Sequence, residues 1–232
     1  MKNGSGVEAE RIGRWAASTG ASPSAPMSAA ALGFKRASDL LLSVPLLIFV
    51  APLMLALAAL IRLSDGGPAI FAHTRCGLNG SMFKCFKFRT MYVDAQARLD
   101  DLLASDPAAA AEWSQFQKLR NDPRVTPVGR FLRKSSLDEL PQLLNILRGE
   151  MGVVGPRPVT SAELHRYGAA YAFYRAVRPG VLGLWQVNGR NTLTYDQRVA
   201  MDVEYVRTWT PWSDIAILLK AVPVVLFGRG AF

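Results

Sequence analysis

The sequence predicts an α+β, mostly helical protein. It has an N-terminal re-entrant membrane helix, a small β-hairpin, and a compact helical domain with amphipathic interfacial helices. Three observations predict this. The run Leu40–Ile61 carries no charge. A Leu78-Asn79-Gly80 turn separates two short apolar stretches. Beyond residue 94, apolar segments of helical length alternate with Pro, Gly and capping residues. The expected organisation is a disordered tail (1–33), the membrane helix (34–63) and the helical domain (64–232).

The tail is rich in Ala, Ser, Gly and Pro, and Ser18–Ser28 reads as disordered. No apolar core precedes a small-residue cleavage site in it, unlike a signal peptide. At about 1.5 Å per residue, Leu40–Ile61 could just span a bilayer core of about 30 Å. However, Pro45 and Pro52 interrupt it, and an interior proline removes a hydrogen bond and kinks a helix. Both flanks are basic, with Lys35 and Arg36 before and Arg62 and Arg75 after. Basic residues on both sides favour one cytoplasmic side for both ends, hence a helix that enters, bends near Pro52 and returns. The alternative is a buried core helix of a soluble protein.

Gly66-Gly67-Pro68 is a turn, Ala69–Ala72 a short strand, and Met82–Arg89 a second strand pairing back across Leu78-Asn79-Gly80. Residues 95–104 and 108–118 read as two helices parted by Asp106-Pro107. Capping boxes at Thr160-x-x-Glu163 and Thr194-x-x-Gln197 open two more. The last apolar segment, Ile215–Phe227, follows Trp209 and Trp212, which suits either a membrane interface or a buried terminal helix.

Half of the residues are apolar and the mean hydropathy is +0.14, oily for a soluble domain. The formal net charge of +9 calls for an anionic partner. No nucleic-acid-binding signature is present, so the expected anions are lipid headgroups and phosphorylated substrates. Cys76 and Cys85 lie among Lys and Arg in a segment of cytosolic character and read as free thiols rather than a disulfide. His73 and His165 show no zinc-ligand spacing.

The chemistry concentrates in Lys134-Ser135-Ser136-Leu137-Asp138-Glu139-Leu140-Pro141-Gln142. Ser136-x-x-Glu139 fits a capping box, so Glu139 could serve only to cap a helix, although Pro141 could itself mark the first turn. The functional alternative is that an ionised carboxylate attacks phosphorus while its neighbour holds Mg²⁺. Around the pair stand Lys87 and Arg89, Asp122-Pro123-Arg124, Arg130, Arg133, Gly155-Pro156-Arg157-Pro158, Arg178-Pro179-Gly180 and Gly189-Arg190. Arginines stiffened by Pro and Gly make fixed phosphate clamps.

The chain resembles the bacterial sugar transferase family, the small monotopic phosphoglycosyl transferases. Within it, the undecaprenyl-phosphate galactose phosphotransferases that begin exopolysaccharide synthesis are most similar. The resemblance runs from Lys35 to Phe232. It rests on Lys35-Arg36-x-x-Asp39, Phe83-Lys84 with Lys87-Phe88-Arg89-Thr90-Met91, Asp122-Pro123-Arg124, Leu137-Asp138-Glu139-Leu140-Pro141-Gln142, Val154-Gly155-Pro156-Arg157-Pro158, Arg178-Pro179-Gly180 and Trp185-Gln186-Val187-Asn188-Gly189-Arg190-Asn191. It implies that Asp138 is the nucleophile toward a UDP-hexose and that Glu139 is its partner acid. It also implies Mg²⁺, with Mn²⁺ as substitute, held by Asp138 and Glu139. Lys87, Arg89, Arg133, Arg157, Arg190 and Gln186 then form the phosphate-binding set. Undecaprenyl phosphate is the implied acceptor, and inner-membrane phospholipid surrounds a helix broken at Pro52, with the catalytic domain on the cytoplasmic face. Ala51 stands where the family usually carries a small polar residue before that proline. Two other readings use the same features: a non-catalytic basic membrane-binding protein, and a glycosyltransferase that releases UDP.

Overall fold

A computed structural model describes residues 27–116, 119–188 and 193–227. Residues 1–26 of the tail expected at 1–33, and Arg190 with its neighbours (189–192), lie outside the described residues. The chain forms two compact units. The larger gathers the chain up to Val50, Ala72–Phe86 and the segment from Gln142; the smaller gathers Ala51–Phe71 and Lys87–Pro141. The division within the first helix falls just ahead of Ala51-Pro52.

That helix, α1, is Ala29–Asp65, 37 residues. It starts ahead of the expected boundary at 34 because Ser28 caps it: the Ser28 hydroxyl accepts the Ala31 N–H at 3.1 Å. Met27 is buried with Val154, Val177, Tyr205, Val206 and Ile217. The helical assignment passes through Pro45 and Pro52 without interruption. Only 11% of its most apolar 18-residue window is buried. A core helix would bury that stretch, so the soluble-core alternative does not hold, and Phe49 is 82% exposed.

In the larger unit, the start of α1 is fastened by buried ions. Lys35 bonds Asp39 at 3.3 Å and Asp214 at 2.8 Å. Asp39 also accepts the Val153 N–H at 3.0 Å, and Arg36 donates to the carbonyls of Ile146 and Leu147 at 2.5 and 3.1 Å. Buried charges persist when each is paired and hydrogen-bonded, as here. Following α1, strands β1 (Ile70–Cys76) and β2 (Met82–Phe88) form the hairpin. Its turn uses left-handed Asn79 (φ 55°) and Gly80 (φ 79°), the conformation a tight hairpin requires. β1 outruns the expected Ala69–Ala72. Its polar His73-Thr74-Arg75 end, exposed only at His73, lacked the apolar alternation that marks a half-buried strand.

Helix α5 (Gln142–Arg148) packs Leu143 and Ile146 against Phe83, Cys85 and Met151. Buried Asn145 accepts the Phe86 N–H at 2.9 Å and donates to the Lys84 carbonyl at 2.7 Å. Strands β3 (Gly152–Val154) and β4 (Gly180–Leu182) pair in parallel, with Gly152 opposite Gly180. The backbones cross closely there: a Cβ on Gly180 would lie 2.1 Å from the Gly155 nitrogen. Only glycine permits that approach. The Gly-Pro-Arg-Pro and Arg-Pro-Gly motifs are therefore one structure.

The Thr160 box is present, with Glu163 accepting both the Thr160 N–H and hydroxyl at 2.8 Å, but it opens a 3-10 segment, Ser161–Arg166, rather than an α-helix. Short α6 (Tyr171–Tyr174) and α7 (Leu184–Val187) precede α8 (Tyr195–Thr208), which begins on the expected Thr194 box. Helix α9 (Pro211–Phe227) buries Ile217 and Ala221 and leaves Trp212, Ile215, Leu219 and Val222 exposed, so its outward side is apolar rather than polar. Both cysteines are buried, and neither is in a disulfide.

The smaller unit packs Leu57 and Ile61 of α1 against Phe88 and Leu132. It adds α2 (Ala95–Ser105), α3 (Pro107–Phe116) and α4 (Pro127–Ser135), the first two close to the expected spans.

Candidate active site

Helix α4 places the smaller unit's cations. Thr126 is its N-cap and accepts the Gly129 N–H at 2.8 Å, while Pro127 occupies the first turn, where a missing N–H costs nothing. The Thr126 N–H bonds the Thr90 carbonyl at 3.0 Å, and Met91 bridges Val125. A Cβ on Gly129 would sit 2.0 Å from that same carbonyl. The glycine thus lets α4 lie on the Lys87–Met91 backbone. In consequence Arg133 Nε reaches the Thr90 hydroxyl at 2.9 Å.

Helix α4 ends at Ser136, which takes a left-handed conformation (φ 57°). A non-glycine residue pays roughly 1 kcal/mol for that geometry. The turn redirects the chain into a 3-10 segment, Leu137–Glu139, and Pro141 then stands directly before α5. Ser136 makes no capping bond, and the Glu139 carboxylate accepts Lys87 Nζ at 2.6 Å. The capping reading of Ser136-x-x-Glu139 therefore fails, because Ser136 closes one helix instead of opening another. Lys87 also stands 4.0 Å from Asp138, so one ammonium serves both acids.

Asp138 is mostly buried, its side chain 15% exposed. Burial pushes its carboxyl up to about 6; Lys87 and Arg133 oppose the rise, and Glu139 adds to it. A carboxylate tuned this way is still largely ionised at neutral pH, yet more basic than one in water. Of the two acids it is the one free of a short ion pair, since Lys87 stands at 4.0 Å from it and at 2.6 Å from Glu139, and that freedom suits a nucleophile.

The other expected site residues divide. Lys87, Arg133, Asp138 and Glu139 come together in the smaller unit. Arg89 also lies there, but it forms a buried ion pair with Asp65, at the end of α1. Arg124 is held by its own neighbour Asp122 at 2.7 Å and lies over the Trp113 ring. These two arginines bond the protein's own carboxylates in this structure, a structural role. In the larger unit, Arg178 donates to the Gly149 carbonyl at 2.7 Å, again structural. Arg157 is exposed between buried Pro156 and Pro158, and its guanidinium lies 5.9 Å from the Trp185 ring. Gln186 donates to the Val181 carbonyl at 3.4 Å. Thr90 and Asp65 were missed as partners of Arg133 and Arg89: Asp65 sits in no motif, and Thr90, although inside Lys87-Phe88-Arg89-Thr90-Met91, carries no charge that marks it as a partner.

Residues 30–228 match the model of the family described as bacterial sugar transferase. The undecaprenyl-phosphate galactose phosphotransferase of Salmonella typhimurium is 52% identical over 198 residues, 85% of this chain and 41% of that protein. The exopolysaccharide production protein ExoY of Sinorhizobium fredii is 50% identical over 198 residues, covering 85% of this chain and 88% of its own length. The UDP-glucose:undecaprenyl-phosphate glucose-1-phosphate transferase of Caulobacter vibrioides is 42% identical over 219 residues, 90% of this chain and 76% of that protein. The chain thus spans less than half of the Salmonella protein and most of the other two.

Proposed function

The chain belongs to the bacterial sugar transferase family, and from that premise we propose that it moves hexose-1-phosphate, galactose or glucose, from a UDP-hexose to undecaprenyl phosphate, releasing UMP. This would be the first membrane step of exopolysaccharide synthesis. The observation that carries the reading is the Lys87–Asp138–Glu139 cluster, where a desolvated carboxylate stands beside an ion-paired acid. An Asp138 oxygen attacks the β-phosphorus, and the P–O bond to UMP breaks. The lipid phosphate oxygen then attacks that phosphorus and the Asp138 O–P bond breaks, restoring the carboxylate. Lys87 and Arg133 offset the charge gathered on phosphorus.

Two adjacent carboxylates are hard oxygen donors, and they fit Mg²⁺ or Mn²⁺ that completes its shell with substrate phosphate and water. Asp138 and Glu139 would hold the ion, which would neutralise the diphosphate. A basic lipid-binding protein would need no ionised acids among its cations. A glycosyltransferase would release UDP.

The same reading sets α1 in the cytoplasmic leaflet of the inner membrane, monotopic, entering and returning. Its support is that Lys35, Arg36 and Asp39 bond the polar larger unit, while Asp65 pairs with Arg89. Pro52 deprives the Ile48 carbonyl of its helical donor, which favours bending there. The test is incubation of the purified protein with UDP-hexose alone. UMP release with a phosphosugar adduct on Asp138 is expected. UDP as product, or nucleotide release only when lipid phosphate is also present, refutes the covalent route.

A further inference from the structure

Outside the acidic cluster, the larger unit holds a second concentration of cations that the sequence motifs only half revealed. Arg157 and Arg198 lie against the same indole, their guanidinium carbons 5.9 and 4.7 Å from the Trp185 ring centre. Arg75 acts on Arg157 as well, and is itself paired with Glu163 at 3.3 Å. Among the described residues, neither Arg157 nor Arg198 has a carboxylate within ion-pair distance. Burial and then Arg157 hold the Arg198 guanidinium below its usual range, and the same two causes act on Arg75. Like charges gathered around one ring are unfavourable without a counter-anion.

Helix α8 supplies a second, independent sign. Tyr195, Arg198 and Asp202 follow at i, i+3 and i+7, on one face. On that face the Tyr195 hydroxyl, Arg198 Nε and one Asp202 oxygen are buried and make no hydrogen bond among the described residues. Asp202 is held by its other oxygen, which accepts the Tyr167 hydroxyl at 2.7 Å. Native proteins leave few such groups orphaned, and a cluster of them marks a place where something else completes the bonding. Two of the three, the Tyr195 hydroxyl and Arg198 Nε, can donate.

We propose that Arg198 and Tyr195 on α8, with Arg157, form a phosphate-recognition site beside Trp185, whose ligand is a phosphate monoester or diphosphate of the transferase's substrates. The inference rests on the sugar-phosphate transfer reading for the ligand's chemistry, but not on the covalent step. Arg198 presents a planar fork that matches two phosphate oxygens, and the indole fixes the plane of that fork. Glu163 and Asp202 limit the positive charge and orient it without neutralising the site.

The test is equilibrium binding to the full chain in detergent micelles, in an Asp138→Asn background so that no turnover intervenes. UDP probes the donor phosphates and farnesyl phosphate the lipid phosphate. Arg198→Ala should weaken at least one of them about tenfold or more, Arg198→Lys by less, and Tyr195→Phe by a few fold. The arm that weakens identifies the source of the phosphate. Unchanged affinity for both probes in a folded Arg198→Ala overturns the site, and Tyr195→Phe, which removes one oxygen, answers the question if Arg198→Ala fails to fold. Normal turnover by Asp138→Asn would sink the covalent reading and leave this binding result standing.

Discussion

Asp138 is held in its charged form at a cost to the fold, and removing that charge should stabilise the protein while silencing it. Its carboxyl is raised to about 6 from 3.8. A difference of about two units corresponds to ~3 kcal/mol. The native chain binds the proton more tightly than the unfolded one. The contribution of Asp138 to stability is therefore greatest below the unfolded value and falls as pH rises from about 4 through 6. Asp138→Asn abolishes this titration. The variant should match the parent near pH 4 and exceed it by up to ~3 kcal/mol at pH 8, measured by urea unfolding in micelles with chelator present. Lys87 retains Glu139 at 2.6 Å, so the substitution leaves no lone buried ammonium. Turnover should be lost. A variant less stable than the parent at pH 8, or a difference that does not change between pH 4 and 8, would refute this account of Asp138.

Excess chelator should stop turnover, with Mg²⁺ or Mn²⁺ restoring it; full activity in a metal-free, chelated sample would remove the metal. Gly129→Ala would drive a methyl against the Thr90 carbonyl. The variant should lose several kcal/mol, roughly 3 or more, read from its melting temperature, whereas Ala at exposed Arg130 should be near neutral. Ser136→Gly should be tolerated or raise stability by about 0.5–1 kcal/mol, and Ser136→Val should lower it, because only glycine relieves the left-handed turn. For topology, single cysteines at Ala30 and Ser64, with Cys76 and Cys85 replaced, should both resist an impermeant thiol reagent until cells are lysed. Labelling of position 30 alone in intact cells would establish a spanning helix.

What the sequence determined alone was local. The uncharged run, the Asn79-Gly80 turn, the Thr194 box and the helices either side of Asp106 depend on residues a few positions apart, and their φ/ψ preferences hold in any surroundings. The Asp138–Glu139 pair was legible for the same reason: adjacency is visible in a string. The Ser136 box misled because its spacing also fits a helix that has just ended, and only the backbone's left-handed turn tells the two apart. Partnerships were the work of tertiary structure. Lys87 meets Glu139 from 52 residues away and Lys35 meets Asp214 from 179. Gly155 and Gly180 read as separate turns until β3 and β4 pair. Packing also sorted the arginines, giving Arg89, Arg124 and Arg178 to the protein's own oxygens and setting Arg198 beside Arg157 on Trp185. A guanidinium looks the same in sequence whichever oxygen it will find, because the choice is made by burial and by what the fold brings within 3 or 4 Å of it.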